Sequence, residues 1–340
     1  MITFTIPVRS CVLPVLSLLA SGVLFAQKIP PHPEDSLVYR NLSYVTNGHA
    51  RQKLDLYIPK RDKGGRPPLI VWVHGGGWFQ GSKENCQALG LGFVERGFAI
   101  ASINYRYSQD AVFPAQLEDC KAAIRWLRAH ASEYGYDASR VGVWGSSAGG
   151  HLVALLGTTA DVAKFDVGEN PNQSSRPQAV VDYYGPTDFL QAEAHDNNEK
   201  VRRLHAAPDS PPSRLIGGDI HDPANAALVA AANPITYISD EDPPFLIVHG
   251  DIDPRVPHHQ SELLHAALAA AGVPTHLVTV RGGVHGSGGF PGPLLAPLIA
   301  DFFDRYLRGD QAAARWPKVL ASMIDAMPES TKGSPPAKTK

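Results

Sequence analysis

The sequence predicts an α/β fold: a mainly parallel central sheet with helices on both faces and an antiparallel N-terminal edge. Three observations carry this. Short continuous apolar runs recur at 69–74 (LIVWVH), 98–104, 141–144, 179–184, 245–249 and 276–280, as strands buried on both faces require. Helical patterns lie between them. In 114–130, Leu117, Cys120, Ile124 and Leu127 recur at spacings of three and four, and Pro114 suits a first helical turn. The stretches 261–271 and 294–307 also read as helices. This alternation places helices on both faces of a parallel sheet. Finally, 37–45 and 52–58 alternate polar with apolar residues, which fits an antiparallel edge pair ahead of the parallel part.

Composition narrows the function classes. The chain has 340 residues, 44% hydrophobic and 19% charged, with 31 Lys+Arg against 33 Asp+Glu. A net charge of −2 excludes an electrostatic grip on nucleic acid as the main activity. The apolar content is too high for a disordered chain. The ends differ from the body. Residues 1–26 read as an export signal: Arg9, an apolar run over 11–25 and a small residue, Ala26, for cleavage. The run is short for a membrane span, which needs about 20 residues. An uncleaved N-terminal anchor is the competing reading. Residues 27–309 read as one catalytic domain, with a lid-like, Pro-rich insertion at 189–233. Residues 310–326 read as a helical appendage and 327–340 as a disordered tail. Leader removal takes Cys11. In an oxidising compartment the remaining Cys86 and Cys120 are expected to pair.

In such sheets ligands sit beyond the carboxyl ends of the strands, so residues that follow strands carry the chemistry. Gly145-Ser146-Ser147-Ala148-Gly149 follows the run 141–144 and precedes a helical run over 150–156. Ser147 holds the centre of G-x-S-x-G, the position of a nucleophile on a strained strand-to-helix turn. His74-Gly75-Gly76-Gly77-Trp78 follows the run 69–74. Consecutive glycines let backbone N–H groups approach a developing oxyanion. Gly76 and Gly77, with Ala148, are the expected donors, and His74 is expected to brace the loop. A phosphate loop would end in Lys-Ser/Thr, whereas Trp78 and Phe79 follow here.

A serine nucleophile needs a base, and the base an orienting carboxylate; in this motif class the order is Ser, acid, His. His285, in Gly282-Gly283-Val284-His285-Gly286, is the candidate base. His249-Gly250-Asp251-Ile252-Asp253-Pro254 supplies the acid, and the residues alone leave Asp251 and Asp253 open. Trp78, Phe79, Tyr184 and Phe290 are candidate pocket residues. No His/Cys/Asp spacing suits a metal and no nucleotide fingerprint appears, so no cofactor is expected.

These stretches together resemble bacterial serine esterases of the α/β-hydrolase superfamily, in the HGGGW branch. That branch holds hormone-sensitive-lipase-like and feruloyl-esterase-like (BD-FAE) enzymes. The resemblance runs through LDLYIP (54–59), VHGGGWFQGSK (73–83), INYRYS (103–108), FPAQLEDCKAAIRWLR (113–128), GSSAGGHLVALLG (145–157), YYGPTD (183–188), PPFLIVHGDIDPRVP (243–257) and GGVHG (282–286). It implies the α/β-hydrolase fold and an Asp followed by Pro as the acid, hence Asp253. One departure is Gly-Gly-Val-His where the family often has Gly-Ala-Gly-His; the base position is intact. The implied function is an exported carboxylic-ester hydrolase acting on small or aromatic acyl esters, such as acetylated or feruloylated polysaccharide fragments. Amide or peptide cleavage by the same triad is the alternative, and a non-catalytic binding protein the second.

Overall fold

The computed structural model describes residues 2–5, 36–60, 65–192, 194, 202, 205, 207–286 and 295–309. Among them nine strands form one sheet: β1 (Ile2–Thr5), β2 (Ser36–Ser43), β3 (Lys53–Pro59), β4 (Pro68–Val73), β5 (Ala99–Ile103), β6 (Asp137–Ser146), β7 (Ala179–Tyr183), β8 (Phe245–Gly250) and β9 (Thr275–Arg281). Their order across the sheet is β1-β9-β8-β7-β6-β4-β5-β3-β2. β2 and β3 are antiparallel to each other and β3 to β5; the remaining pairs are parallel. This is the expected parallel sheet with an antiparallel edge.

The apolar runs are continuous because both faces are covered. Every residue of β4, β5, β7 and β8 is buried, and successive side chains enter opposite cores. Leu69, Val71 and Val73 join one core with α2 (Ala115–Tyr134), α3 (Ala148–Thr158) and α6 (His259–Ala270). Ile70 and Trp72 join the other with α1 (Gln87–Gly90) and α7 (Leu295–Arg308). α2 runs past the expected end at 130 and stops at Gly135, whose left-handed φ of 82° closes the helix.

The two layers correct the disulfide expectation. Cys86 and Cys120 are both free and buried. Cys120 lies on α2 in the first core, and Cys86 caps α1 in the second. The sheet stands between them, and a disulfide needs Cα atoms within about 7 Å. Burial also pushes the Cys86 thiol up to about 12 and that of Cys120 well above its ordinary value, so both behave as inert core residues.

Among its described residues the insertion at 189–233 carries two short α-helices, α4 (Pro211–Ile216) and α5 (Ala226–Ala232). β1 lies within the stretch read as a leader and forms the sheet edge beside β9. The rest of that leader, the cleavage site, Phe290, the appendage at 310–326 and the tail lie outside the described residues. No helix among the described residues is long and apolar enough to cross a membrane.

Candidate active site

The carboxyl ends of β4, β6, β8 and β9 converge on one cavity of about 910 Å³. β6 ends at Ser146 and α3 begins at Ala148, so Ser147 occupies the turn between them, at φ 54° and ψ −121°. A residue with a Cβ adopts this only where its surroundings force it. Two close backbone approaches do so. A Cβ at position 145 would collide with the Gly149 carbonyl, and one at position 149 with the Val73 carbonyl. The Ser147 N–H donates to Tyr183 O at 2.8 Å. The hydroxyl is thereby aimed into the cavity.

The loop after β9 brings His285 over this hydroxyl. His285 Nε2 lies 2.9 Å from Ser147 Oγ, and Nδ1 lies 2.7 Å from Asp253 Oδ2. A carboxylate only accepts, so Nδ1 carries the proton and Nε2 is free to accept from the serine. Asp253 Oδ1 accepts the N–H groups of Arg255 (2.8 Å) and Val256 (3.0 Å). Its Oδ2 also lies 3.3 Å from His249 Nε2. Burial alone would raise this carboxyl, but hydrogen bonds from His249 and His285 outweigh it and hold Asp253 well below the usual carboxylate range. Asp253 is therefore ionised at neutral pH.

The alternatives left open by the residues are separated here. Asp253 reaches the imidazole, while exposed Asp251 accepts the Gly282 N–H at 2.6 Å and ties the end of β8 to the His285 loop. His249 is the residue that sequence reading passed over. Its only signal was a histidine at the end of an apolar strand, four positions before the acid.

The HGGGW loop forms the facing wall. Gly76 and Gly77 have φ of 117° and 59°, and a Cβ at position 76 would collide with the Gln80 carbonyl. Phe79 N–H and Gln80 N–H close the loop on Gly76 O at 3.2 and 3.1 Å. Gly76, Gly77 and Ala148 line the cavity beside Ser147. Ala148 opens α3, so its N–H belongs to the donors a helix leaves unpaired at its start. His74 is a brace, as expected. Its ring stacks on Tyr105 at 4.5 Å, Nδ1–H donates to Gly75 O (2.7 Å) and Nε2 accepts from Arg51 (3.2 Å). Burial lowers its pKa to about 4, so it stays neutral near pH 7.

The expected pocket residues take different places. Trp78 is a buried side chain packed on His151 and Phe189 at the cavity wall. Phe79 lines the cavity with the Arg214 guanidinium 5.4 Å from its ring. Tyr184 packs 4.7 Å from the His285 ring, and burial pushes its hydroxyl up to about 12. The insertion adds Phe189, Pro211 and Pro212 to the wall. Among the described residues no group of His, Cys, Asp or Glu is arranged to hold a metal ion.

The sequence model of the family described as BD-FAE matches residues 54–268. Esterase LipQ of Mycobacterium tuberculosis is 33% identical over 258 residues, 75% of this chain and 58% of LipQ. The probable carboxylic ester hydrolase LipM of the same organism is 32% identical over 223 residues, 65% of this chain and 49% of LipM. The chain thus spans about half the length of these curated relatives. A solved structure described as a truncated form of a carbohydrate esterase from gut microbiota superimposes with a TM-score of 0.71 at 32% identity, covering 82% of this chain and 99% of that one. An acetyl ester-xyloside bifunctional hydrolase from Caldicellulosiruptor lactoaceticus has a TM-score of 0.57 at 27% identity, with 81% and 87% covered.

Proposed function

Because the chain belongs to the BD-FAE family, within the serine esterases of α/β-hydrolase fold, we propose that it is a carboxylic-ester hydrolase working through an acyl-enzyme on Ser147. The observation that carries this reading is the hydrogen-bonded line Ser147–His285–Asp253, opening on a cavity that Gly76, Gly77 and Ala148 also line.

The geometry supports the following reaction. Ser147 Oγ attacks the ester carbonyl while His285 Nε2 takes its proton. The carbonyl oxygen becomes an oxyanion and accepts hydrogen bonds from the N–H groups of Gly76, Gly77 and Ala148. Ionised Asp253 orients the imidazole and stabilises the imidazolium. His285 then gives the proton to the departing alcohol, and a water activated by His285 releases the acid.

The substrate reading is an ester of a short or aromatic acyl group on a hydroxylated alcohol, such as an acetylated or feruloylated polysaccharide fragment. Aromatic and prolyl side chains on one wall (Phe79, Phe189, Pro211, Pro212) and polar ones elsewhere (Gln80, Asn85, Gln87) support it. So do the names of the gut carbohydrate esterase and the acetyl ester-xyloside hydrolase. The leader-like composition of 1–26 is what supports a reading of export to the periplasm or beyond.

Hydrolysis of p-nitrophenyl acetate, methyl ferulate, acetylated xylan and p-nitroanilides by one preparation tests this. Ester turnover that Ser147→Ala abolishes in a folded protein is the expected result. Turnover retained by that variant overturns the assignment, and anilides cleaved faster than esters would move it to amide hydrolysis.

A further inference from the structure

We propose that His249 is a positioning residue for this triad: through a second imidazole N–H on Asp253 Oδ2, it fixes the carboxylate and moderates its pull on His285. The proposal rests on the assignment of Ser147, His285 and Asp253 made above.

His249 is fully buried on β8, one residue before the strand ends. Its Nε2 faces two groups that only accept, Val256 O at 3.0 Å and Asp253 Oδ2 at 3.3 Å. Nε2 therefore carries a proton in every protonation state the site admits. Nδ1 lies 2.7 Å from Ser261 Oγ on α6, and the serine hydroxyl donates to it when the ring is neutral. Asp253 thus has four N–H groups around it: two backbone N–H groups bond Oδ1, His285 bonds Oδ2, and the His249 Nε2–H, shared with Val256 O, lies beside Oδ2 at 3.3 Å. Turning the carboxylate breaks all four at once, so Oδ2 stays aimed at His285.

The second consequence is electronic. A carboxylate that shares its charge with another donor is a weaker base. Without the His249 N–H, Oδ2 stabilises the His285 imidazolium more strongly, and the serine loses its base at a higher pH than before. A side chain that merely fills space has no such effect.

The other groups around His249 are few. From α6 comes Ser261, and from the position capping it His258, whose ring is 5.5 Å away. His258 is itself held by Glu262 (3.4 Å) and by Thr279 Oγ1 on β9 (2.9 Å). Thr279 is the register partner of His249. After β7 comes Tyr184, at 6.3 Å and neutral through burial. From the loop after β8 come Asp253 and the Val256 carbonyl.

The test measures kcat and KM on p-nitrophenyl acetate from pH 5 to 9 for the full chain, His249→Leu, His249→Gln and the control His258→Gln. His249→Leu is expected to lower kcat about 10- to 100-fold, as loss of a hydrogen bond to a charged group does, with KM within about twofold. The acid limb of kcat/KM is expected to rise by ~0.5–1 pH unit. His249→Gln, whose amide N–H can reach the same oxygen, is expected to restore most of kcat and return the limb. The control leaves the limb in place. Equal losses in the Leu and Gln variants with an unmoved limb overturn the proposal. Should His249→Leu fail to fold, His249→Phe keeps the ring volume without a donor. Should both fail, Ser261→Ala decides: a raised limb supports the proposal and an unmoved one overturns it. Ser147→Ala in the same series separates the two levels. Activity surviving there overturns the triad itself, whereas activity lost there with an unmoved His249 limb overturns only this inference.

Discussion

Asp253→Asn is the sharpest test of the site, because the carboxylate's four donors leave an amide no good orientation. With its oxygen toward the N–H groups of Arg255 and Val256, its NH2 faces Nδ1–H of His285 at 2.7 Å and Nε2–H of His249 at 3.3 Å. His285 then escapes the donor-to-donor clash only by moving its proton to Nε2, where it can no longer accept from Ser147. The flipped amide places NH2 against two backbone N–H groups instead. The wrong tautomer in a serine triad costs about 10⁴ in kcat, equivalent to about 5.5 kcal/mol of barrier. Asp253→Asn is therefore expected to lose about 10³- to 10⁴-fold in kcat on p-nitrophenyl acetate. The unsatisfied donors add about 1–3 kcal/mol each of destabilisation, visible as a lower Tm. Asp251→Asn is the internal comparison. Its amide oxygen can still accept the Gly282 N–H, so a loss below about tenfold is expected. If Asp253→Asn keeps kcat within tenfold of the parent while folded by circular dichroism, or if Asp251→Asn is the more damaging change, the acid has been misassigned.

Three other perturbations follow from single contacts. Gly76→Ala drives a Cβ into the Gln80 carbonyl at a φ of 117°; displacing this donor is expected to lower kcat about 10²- to 10³-fold, and a loss under threefold would remove the loop from the mechanism. Buried Asp182 is raised from 3.8 to about 7 by desolvation, partly offset by the Gly185 N–H. The folded state therefore keeps a proton that the unfolded chain has released, and stability falls as pH rises between those values, by an amount on the order of 4 kcal/mol. Asp182→Asn is accordingly expected to raise Tm at pH 8.5 and to change it little at pH 4; no gain at pH 8.5 refutes this. Cys86 and Cys120 are expected to react with a thiol reagent only after denaturation, and an intact mass showing a disulfide between them would contradict their separation by the sheet.

The strands were legible because burial on both faces leaves a local mark: a run such as LIVWVH has no polar face to conceal. Ser147, His285 and the glycines of the HGGGW loop stood out for a similar reason. A turn that must bring backbone within contact of backbone needs glycine next to the functional residue, as Gly145 and Gly149 show. Contacts across the fold left no such mark. Choosing between Asp251 and Asp253 depends on which loop position meets an imidazole 32 residues later, and only the resemblance to a known family selected Asp253. The disulfide expectation came from compartment and cysteine count. It failed because α1 and α2 pack on opposite faces of the sheet, which nothing near Cys86 or Cys120 encodes. The insertion's helices α4 and α5 are short and Pro-flanked, with too little periodicity to stand out from a loop.

The site is held by two kinds of constraint, and they respond differently to conditions. Ser147 and the oxyanion loop are fixed by backbone packing, through Gly149 against Val73 and Gly76 against Gln80. Packing of this kind does not titrate. This half of the site therefore carries no pH dependence of its own. The acid–base half is fixed by hydrogen bonds to charge. Asp253 is held below the usual carboxylate range. The stability it contributes is present above the ordinary carboxylate value and is lost only as pH falls through its depressed one. Across the mildly acidic range the acid thus stays charged and in place. On the proposal made for His249, the buried face of Asp253 matters to that placement as much as the face turned toward the cavity.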